Sequence, residues 1–176
     1  MNKSKIVPLE IFNQVNEAIS FYPELTNTEI KFVFANIKTT MAARPNVLSL
    51  LFNKRKYNIF INNMKSNKFG ILFNDVPEKA QIGLIAHELA HILDYEHKSL
   101  MKIIKTGILY LSRKHRSKYE KETDIETIKH GAGWHLFEYT LFILNSKIVS
   151  DKYRLFIKRY YLQPDEIKSL IDQHIY

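Results

Sequence analysis

A stretch of ten residues, 84–93, limits the possible folds of this chain more than any other, and it reads LIAHELAHIL. At about 100° per residue, the apolar side chains in and beside it gather into one helical stripe. That stripe comprises Ile82, Ile85, Ala86, Leu89, Ile92 and Leu93. His87 and His91 fall together on the opposite side, with Glu88 beside them. Their neighbours there are small or apolar, so we expect this face to line a cleft instead of meeting bulk water.

Two histidines four residues apart on a helix lie one turn apart, and both can bind the same metal ion. A glutamate next to the first histidine then points at the open position of the metal, where it can move a proton from water to a leaving group. Zinc lowers the pKa of a bound water to about 7. The stretch has the HExxH pattern of zinc metallopeptidases. It predicts one Zn²⁺ ion bound by His87 and His91, with Glu88 as the general base.

Length and composition favour a single domain over residues 1–176, because the chain is long enough to bury one core. The absence of cysteine excludes disulfides and thiolate zinc fingers. The N-terminal region has no apolar run typical of a signal peptide. The longest apolar candidate, Leu100–Leu111, is too short to span a bilayer and contains Lys102 and Lys105. We therefore expect a soluble, cytoplasmic protein.

The formal net charge of +8 permits an acidic partner such as nucleic acid. We interpret the Lys and Arg residues mainly as a solvated surface, so a nucleic-acid partner is possible but not favoured.

The order of sequence patterns predicts an α+β fold. A helical pattern in PLEIFNQVNEAISFY precedes three β-like runs: EIKFVFA, KYNIFINN and FGILFND. The linker NMKSNK suits a hairpin, so we expect a small antiparallel sheet. A mainly helical half follows and carries the metal site. Its predicted helices cover about 78–97, 99–112, 116–130, 133–146, 150–161 and 164–174.

A catalytic zinc site needs a third protein ligand, and three regions of the chain offer one. His97 has the spacing of the metzincin pattern HExxHxxGxxH, but Asp94 stands where that family has glycine. His130, in KHGAGWH, resembles the third ligand of SprT-type proteases, which act on protein crosslinked to DNA. The segment YEKETDIETIKHG offers Glu120 and Glu122.

A helical projection separates the acidic residues of that segment. Glu120 shares a half-buried side with Asp124, one turn later. Glu122 and Glu126 lie on the opposite side among lysines, where we interpret them as parts of a solvated, salt-bridged face.

HExxH followed by ExxxD on a later helix resembles the gluzincin pattern of thermolysin-like enzymes and of the CAAX-prenyl endopeptidase family. In the latter the segment often reads E-x-E-A-D, and EKETD is similar, with Thr123 in place of alanine. The resemblance covers about forty residues, 85–128. It implies that Glu120 is the third zinc ligand. It also implies that Asp124 accepts the free N–H of a ligand histidine, His87.

The prenyl endopeptidases are typically membrane-embedded, and we carry over neither that property nor their prenylated substrates. We predict a small soluble gluzincin, a zinc metalloendopeptidase that hydrolyses a peptide or protein substrate. His130 is predicted to lie near the zinc and to donate a hydrogen bond to the oxyanion of the tetrahedral intermediate. A strand at Gly70–Asn74 is predicted to pair with an extended substrate.

Two other functions stay open from the sequence. One is a SprT-type DNA-associated protease, with His130 as a zinc ligand. The other is a non-catalytic module that binds nucleic acid or protein, in which the metal is structural or absent.

Overall fold

The computed structural model describes residues 5–51, 54–63 and 69–174. The chain has the α+β fold that its sequence patterns predict. The strands are β1 (Lys5–Ile6), β2 (Glu29–Ala35), β3 (Met41–Pro45) and β4 (Lys56–Asn62). The helices are α1 (Phe12–Ser20), α2 (Val47–Leu51), α3 (Glu78–Glu96), α4 (Leu100–Leu109), α5 (Arg113–Thr127), α6 (Gly133–Asn145), α7 (Asp151–Tyr160) and α8 (Pro164–His174).

The sheet is mixed, so the prediction of an antiparallel sheet was wrong. Its strand order is β1–β2–β4–β3, in which β2 runs parallel to both β1 and β4. The pairing of β3 with β4 is antiparallel. Strand β4 therefore lies between β2 and β3, and it runs parallel to β2. The sequence runs at 29–35 and 56–63 correctly located β2 and β4, whereas β1, β3 and α2 were not anticipated.

The third β-like run does not form a strand. Phe69 and Gly70 lie in a bend, and Phe73–Asp75 form a turn of 3₁₀ helix. Ile71, Phe73 and the following Val76 are nevertheless buried in the core. The alternation of apolar residues therefore reported burial and not strand pairing. The predicted hairpin linker, at 63–68, lies almost entirely outside the described residues.

The six predicted helices agree with α3 to α8 to within three residues at each end. A π-helical turn at Ile128–Ala132 joins α5 to α6, and Gly131 within it has φ +90°. Glycine adopts this left-handed conformation without strain, so the chain changes direction there. Helix α6 is apolar on most of its surface but is not buried on all sides, because Trp134 and Leu141 are exposed.

Helix α3 forms the centre of the molecule, and every residue of Ala80–Leu93 is buried. It packs against α1, β3, α5 and α6. A Cβ atom on Gly83 would lie 2.2 Å from the backbone oxygen of His135, so only glycine allows α6 to cross α3 this closely. Full burial on this helix means that its polar residues need protein partners or a ligand.

Side chains fix both ends of α3. At the N-terminal end, Gln81 Nε2 donates to the backbone oxygens of Phe73 and Val76, at 3.1 and 2.9 Å. At the C-terminal end, the Arg55 guanidinium donates to the backbone oxygens of Tyr95 and Lys98, at 2.7 and 2.9 Å. Helix α3 is thus a rigid support for its polar residues. Among the described residues, no helix combines the length and the apolar character needed to cross a membrane.

Candidate metal centre

Three buried side chains from two helices converge at the polar face of α3. His87 Nε2 and His91 Nε2, both from α3, lie 3.2 and 3.3 Å from the same oxygen, Glu120 Oε2 on α5. One potential ligand atom from each residue lies within 4.8 Å of the other two. Zinc bonds of about 2.0–2.1 Å in tetrahedral geometry place ligand atoms about 3.3 Å apart. The separations to Glu120 therefore suit a single small divalent cation.

The tautomer of His91 leaves its Nε2 atom able to bind a metal ion. Thr123 Oγ1 lies 3.3 Å from His91 Nδ1 and donates its only proton to the backbone oxygen of Tyr119, at 2.9 Å. The hydroxyl therefore accepts from His91 Nδ1–H. A neutral imidazole carries one N–H, so His91 Nε2 presents a lone pair towards Glu120.

His87 has a comparable partner in Asp124. His87 Nδ1 lies 2.8 Å from Asp124 Oδ1, at an angle outside hydrogen-bonding geometry. The other oxygen of Asp124 accepts the backbone N–H of Leu162 at 2.8 Å, which ties the carboxylate to the segment after α7. A proton held at Nδ1 leaves His87 Nε2 with a lone pair that also faces Glu120. Two lone pairs and a carboxylate oxygen then meet at one point, an arrangement that a cation would stabilise.

The electrostatics of the buried residues also suit a cation. Burial acts to raise the pKa of Glu120, but its hydrogen bonds and charge interactions with His87 and His91 outweigh burial and lower that pKa far below its usual range. Burial acts to lower the pKa of His87, but Asp124 and Glu120 raise it well above its ordinary value. Metal binding requires neutral imidazoles, and with both histidines neutral the carboxylates of Glu88, Glu120 and Asp124 would make the buried group negative. A divalent cation would offset this charge.

Glu88 lies on α3 between the two histidines and contacts the edge of the sheet. Its Oε2 atom accepts the backbone N–H of Ala43, in β3, at 2.5 Å. Burial raises the pKa of Glu88, while the charges of His91 and His87 lower it in part. A carboxylate with a raised pKa is better matched to accept a proton near neutral pH.

A small cavity of about 20 Å³ adjoins Glu88 and His87. Its lining also includes Thr39, Tyr139 and Tyr161. This volume is enough for a water molecule, and hydroxyl and carboxylate groups on its walls offer hydrogen bonds.

Besides the Ala43 N–H and Tyr161, sequence reasoning missed two groups at the site. One is Thr123, which the sequence does signal, because it lies three residues after Glu120 on the same face of α5. The other is Tyr110, which follows α4 and donates a short hydrogen bond to Glu120 Oε1. Nothing in the local pattern around Tyr110 indicates this contact, since it depends on how α4 turns into α5.

The other predicted or alternative site residues lie elsewhere. His130 stacks on Tyr22 with ring centroids 4.6 Å apart, and its Nδ1 atom lies 2.9 Å from the backbone oxygen of Glu126. Its Nε2 atom is 3.5 Å from Glu24 Oε1. His97 is exposed at the C-terminal end of α3. The structure therefore does not bring His130 or His97 to the group formed by His87, His91 and Glu120.

Glu122 and Glu126 also stay outside the centre. Glu122 is exposed and Glu126 is half-buried, and they lie 3.7 Å from Lys118 and Lys129, as expected for a salt-bridged face. The predicted substrate-pairing strand at Gly70–Asn74 is absent from this part of the described chain, because those residues form the bend and the 3₁₀ turn.

Comparisons with models of protein families, with curated proteins and with solved structures find no match to this chain.

Proposed function

We propose that this protein is a zinc-dependent metallopeptidase with the ligand pattern of a gluzincin. The observation that carries the proposal is the convergence of His87 Nε2 and His91 Nε2 on Glu120 Oε2, next to Glu88. Two imidazoles and one carboxylate are a ligand set of catalytic zinc sites, which keep one position open. Zinc bound there supplies Lewis-acid chemistry, polarising the scissile carbonyl and lowering the pKa of a water molecule.

Glu88 is the general base in this proposal. Its carboxylate takes a proton from the attacking water and passes it to the nitrogen of the departing amine. Burial raises its pKa, which favours both acceptance and release of the proton near neutral pH. The bond from Ala43 restrains the rotation of the carboxylate. Thr123 accepts the Nδ1 proton of His91, and the negative charge of Asp124, 2.8 Å from His87 Nδ1, favours a proton on that atom, so that both Nε2 atoms would face the ion.

The outer edge of β3, which pairs with no strand of the described sheet, is the proposed binding site for an extended substrate. Asn62 N–H donates to the Thr40 oxygen, and Asn46 N–H donates to the Lys56 oxygen, so even-numbered residues of this segment face β4. Met41 and Ala43 therefore direct their backbone groups to the other side, where Ala43 reaches Glu88. A peptide added at this edge would pass beside the general base.

Tyr161 takes the place that sequence reasoning gave to His130. Its ring centroid lies 5.6 Å from that of His87, and Tyr161 lines the cavity next to Glu88. Burial, together with the charge of Glu120, raises the pKa of Tyr161 well above its ordinary value, so its hydroxyl stays protonated. We propose it as the donor to the oxyanion.

Glu88→Gln is the decisive test. Glutamine keeps the shape of the side chain but cannot accept the proton, so hydrolysis of an unfolded protein substrate should fall by at least about a thousandfold. Zinc content, measured by elemental analysis, should stay at one ion per chain. Glu78→Gln, an exposed change on the same helix, is the matched control. Wild-type hydrolysis by Glu88→Gln would contradict the mechanism, and wild-type protein that binds no zinc would contradict the metal site.

The SprT-type alternative needs His130 at the metal, but His130 stacks on Tyr22, whereas Glu120 Oε2 lies within 3.3 Å of both histidines of α3. A non-catalytic module does not require Glu88 beside the ligand group or an outer strand next to it. The geometry therefore supports the peptidase more strongly than either alternative.

A further inference from the structure

The positive charge of the chain is concentrated in one segment, Lys98–Lys118. Seven of the 26 Lys and Arg residues lie in it, and it contains no Asp or Glu. The remainder of the chain has 19 basic against 18 acidic residues, since all 18 acidic residues lie there. Almost the whole net charge of +8 therefore belongs to α4 and the start of α5.

The same segment has an uncovered apolar stripe. Ile103 is the buried residue of α4 and attaches the helix to the protein. Met101, Ile104 and Ile108 point to the other side, with exposed fractions of 72%, 47% and 64%. Leu111, just after the helix, is 80% exposed and extends the stripe. Space is open around Gly107 as well, since a Cβ atom there would have nothing within 4 Å.

The cations lie where they would frame this stripe. Lys102 and Lys105 follow one flank of α4, and both are exposed. Arg113 and Lys114, at the start of α5, are also exposed. Within the described residues these four side chains make no ion pair. An apolar stripe framed by unpaired cations is the pattern of a helix that lies in the plane of a membrane interface.

We propose that α4 docks this protein onto an anionic lipid surface. The stripe of Met101, Ile104, Ile108 and Leu111 would enter the boundary between headgroups and acyl chains. The flanking lysines would meet acidic headgroups, which complement their charge. The proposal concerns binding alone and does not depend on the peptidase activity.

Two other occupants fit the surface less well. Nucleic acid would use the cations through its phosphates but would leave the four apolar side chains in water. A second copy of α4 would cover the apolar stripe but would bring two sets of lysines together without acidic partners. An anionic bilayer matches both features.

Docking through α4 would bring the candidate metal centre close to the lipid surface. Tyr110 follows α4 directly and donates to Glu120, a ligand residue. Helix α5, which carries Glu120, also begins close to α4. Its preceding residue, Ser112, lies three residues after the end of α4. The proposed substrates would then include polypeptides held at that surface.

The test is co-sedimentation of the full chain with vesicles of phosphatidylcholine, with and without phosphatidylserine. We expect binding to the anionic vesicles only, weakening as salt is added. Ile104→Ser with Ile108→Ser should weaken binding about 30-fold, because two inserted apolar side chains are lost. Lys102→Gln with Lys105→Gln should weaken it about 25-fold, since each lysine near an anionic surface contributes about fivefold.

Two changes outside α4 serve as matched controls. Leu155→Ser removes another exposed apolar side chain, and Lys168→Gln removes another exposed lysine. Both should bind vesicles like the wild type. Circular dichroism checks that each variant is folded, which we expect because the changed side chains are exposed.

Four outcomes would overturn the proposal. The first is no binding of the folded wild type to anionic vesicles, and the second is unchanged binding by both α4 variants. The third is binding to duplex DNA but not to vesicles, which would assign the cations to nucleic acid. The fourth is a dimer in light scattering that Ile104→Ser with Ile108→Ser abolishes, without any vesicle binding.

Discussion

The two faces of α5 carry similar acidic residues in opposite surroundings. One face, with Glu120, Thr123, Asp124 and Thr127, is buried. The other bears Glu122, which is exposed, and Glu126, which is half-buried, and both lie near lysines. Spacing of i, i+3, i+4 and i+7 normally belongs to the apolar stripe of a helix, but here polar residues occupy it. What distinguishes the faces is therefore their partner, since only the first packs against the histidines of α3.

This difference has an energetic meaning. Exposed pairs such as Lys118 with Glu122 contribute about 0–1 kcal/mol because water screens them. Carboxylates as buried as Glu120 and Asp124 are strongly destabilising unless a positive charge or hydrogen bonds compensate. Two carboxylates buried in the interior are what a binding site for a cation requires. The comparison yields predictions in which matched changes on the two faces have unequal effects.

The largest difference should separate Glu120→Ala from Glu122→Ala. A structural zinc site with four ligands contributes about 10–16 kcal/mol, or about 2.5–4 kcal/mol per ligand. Glu120→Ala should therefore weaken zinc binding at least about a hundredfold and remove hydrolysis. Glu122→Ala should leave both unchanged, as it removes only a solvated ion pair. Zinc affinity is measured by competition with a chelating dye, and equal affinities would remove Glu120 from the ligand set.

A second effect concerns Asp124→Asn. The amide oxygen of asparagine can still accept the N–H of Leu162, but its NH₂ group would then face His87 Nδ1. His87 would have to move its proton to Nε2, the atom that would bind the metal. Changes to such a partner typically weaken metal binding about 10- to 100-fold. The matched change Glu126→Gln should have no effect, and zinc affinity of Asp124→Asn at the wild-type level would contradict the assigned role.

Sequence reasoning located the group formed by His87, His91 and Glu120 because both of its motifs are local. HExxH places three groups on one helix, and the half-buried side of the later helix selects Glu120 and Asp124 over Glu122 and Glu126. The resemblance covering 85–128 then suggested that these two helices meet. The strands were harder to locate, because β3 contributes one backbone N–H to Glu88 and has no distinctive side chains there.

The errors have physical causes as well. FGILFND alternates like a strand because Ile71 and Phe73 are buried, yet its backbone has no neighbouring strand in the described sheet. His130 lies ten residues beyond Glu120 on the chain, and the π-helical turn directs it towards Tyr22. Whether a histidine reaches a metal depends on the face it takes after such a turn, which spacing in the sequence does not encode.

A smaller effect is expected at Thr123, where two substitutions isolate the hydroxyl group. Thr123→Val keeps the shape but leaves His91 Nδ1–H buried without an acceptor, which costs about 1–2 kcal/mol. Zinc binding should weaken about tenfold, whereas Thr123→Ser, which keeps the hydroxyl, should stay within about twofold of the wild type. Equal zinc affinities of the valine and serine variants would show that Thr123 does not orient His91.

The smallest effect on catalysis should follow His130→Ala. In the structure His130 stacks on Tyr22 and contacts Glu126, so its removal should lower the thermal midpoint through lost packing. Hydrolysis and zinc affinity should stay within about twofold of the wild type, because no described contact links His130 to the ligand residues. A loss of hydrolysis of about a hundredfold or more, in protein that stays folded and keeps its zinc, would restore the oxyanion role to His130. It would also show that residues outside the buried face of α5 contribute to catalysis.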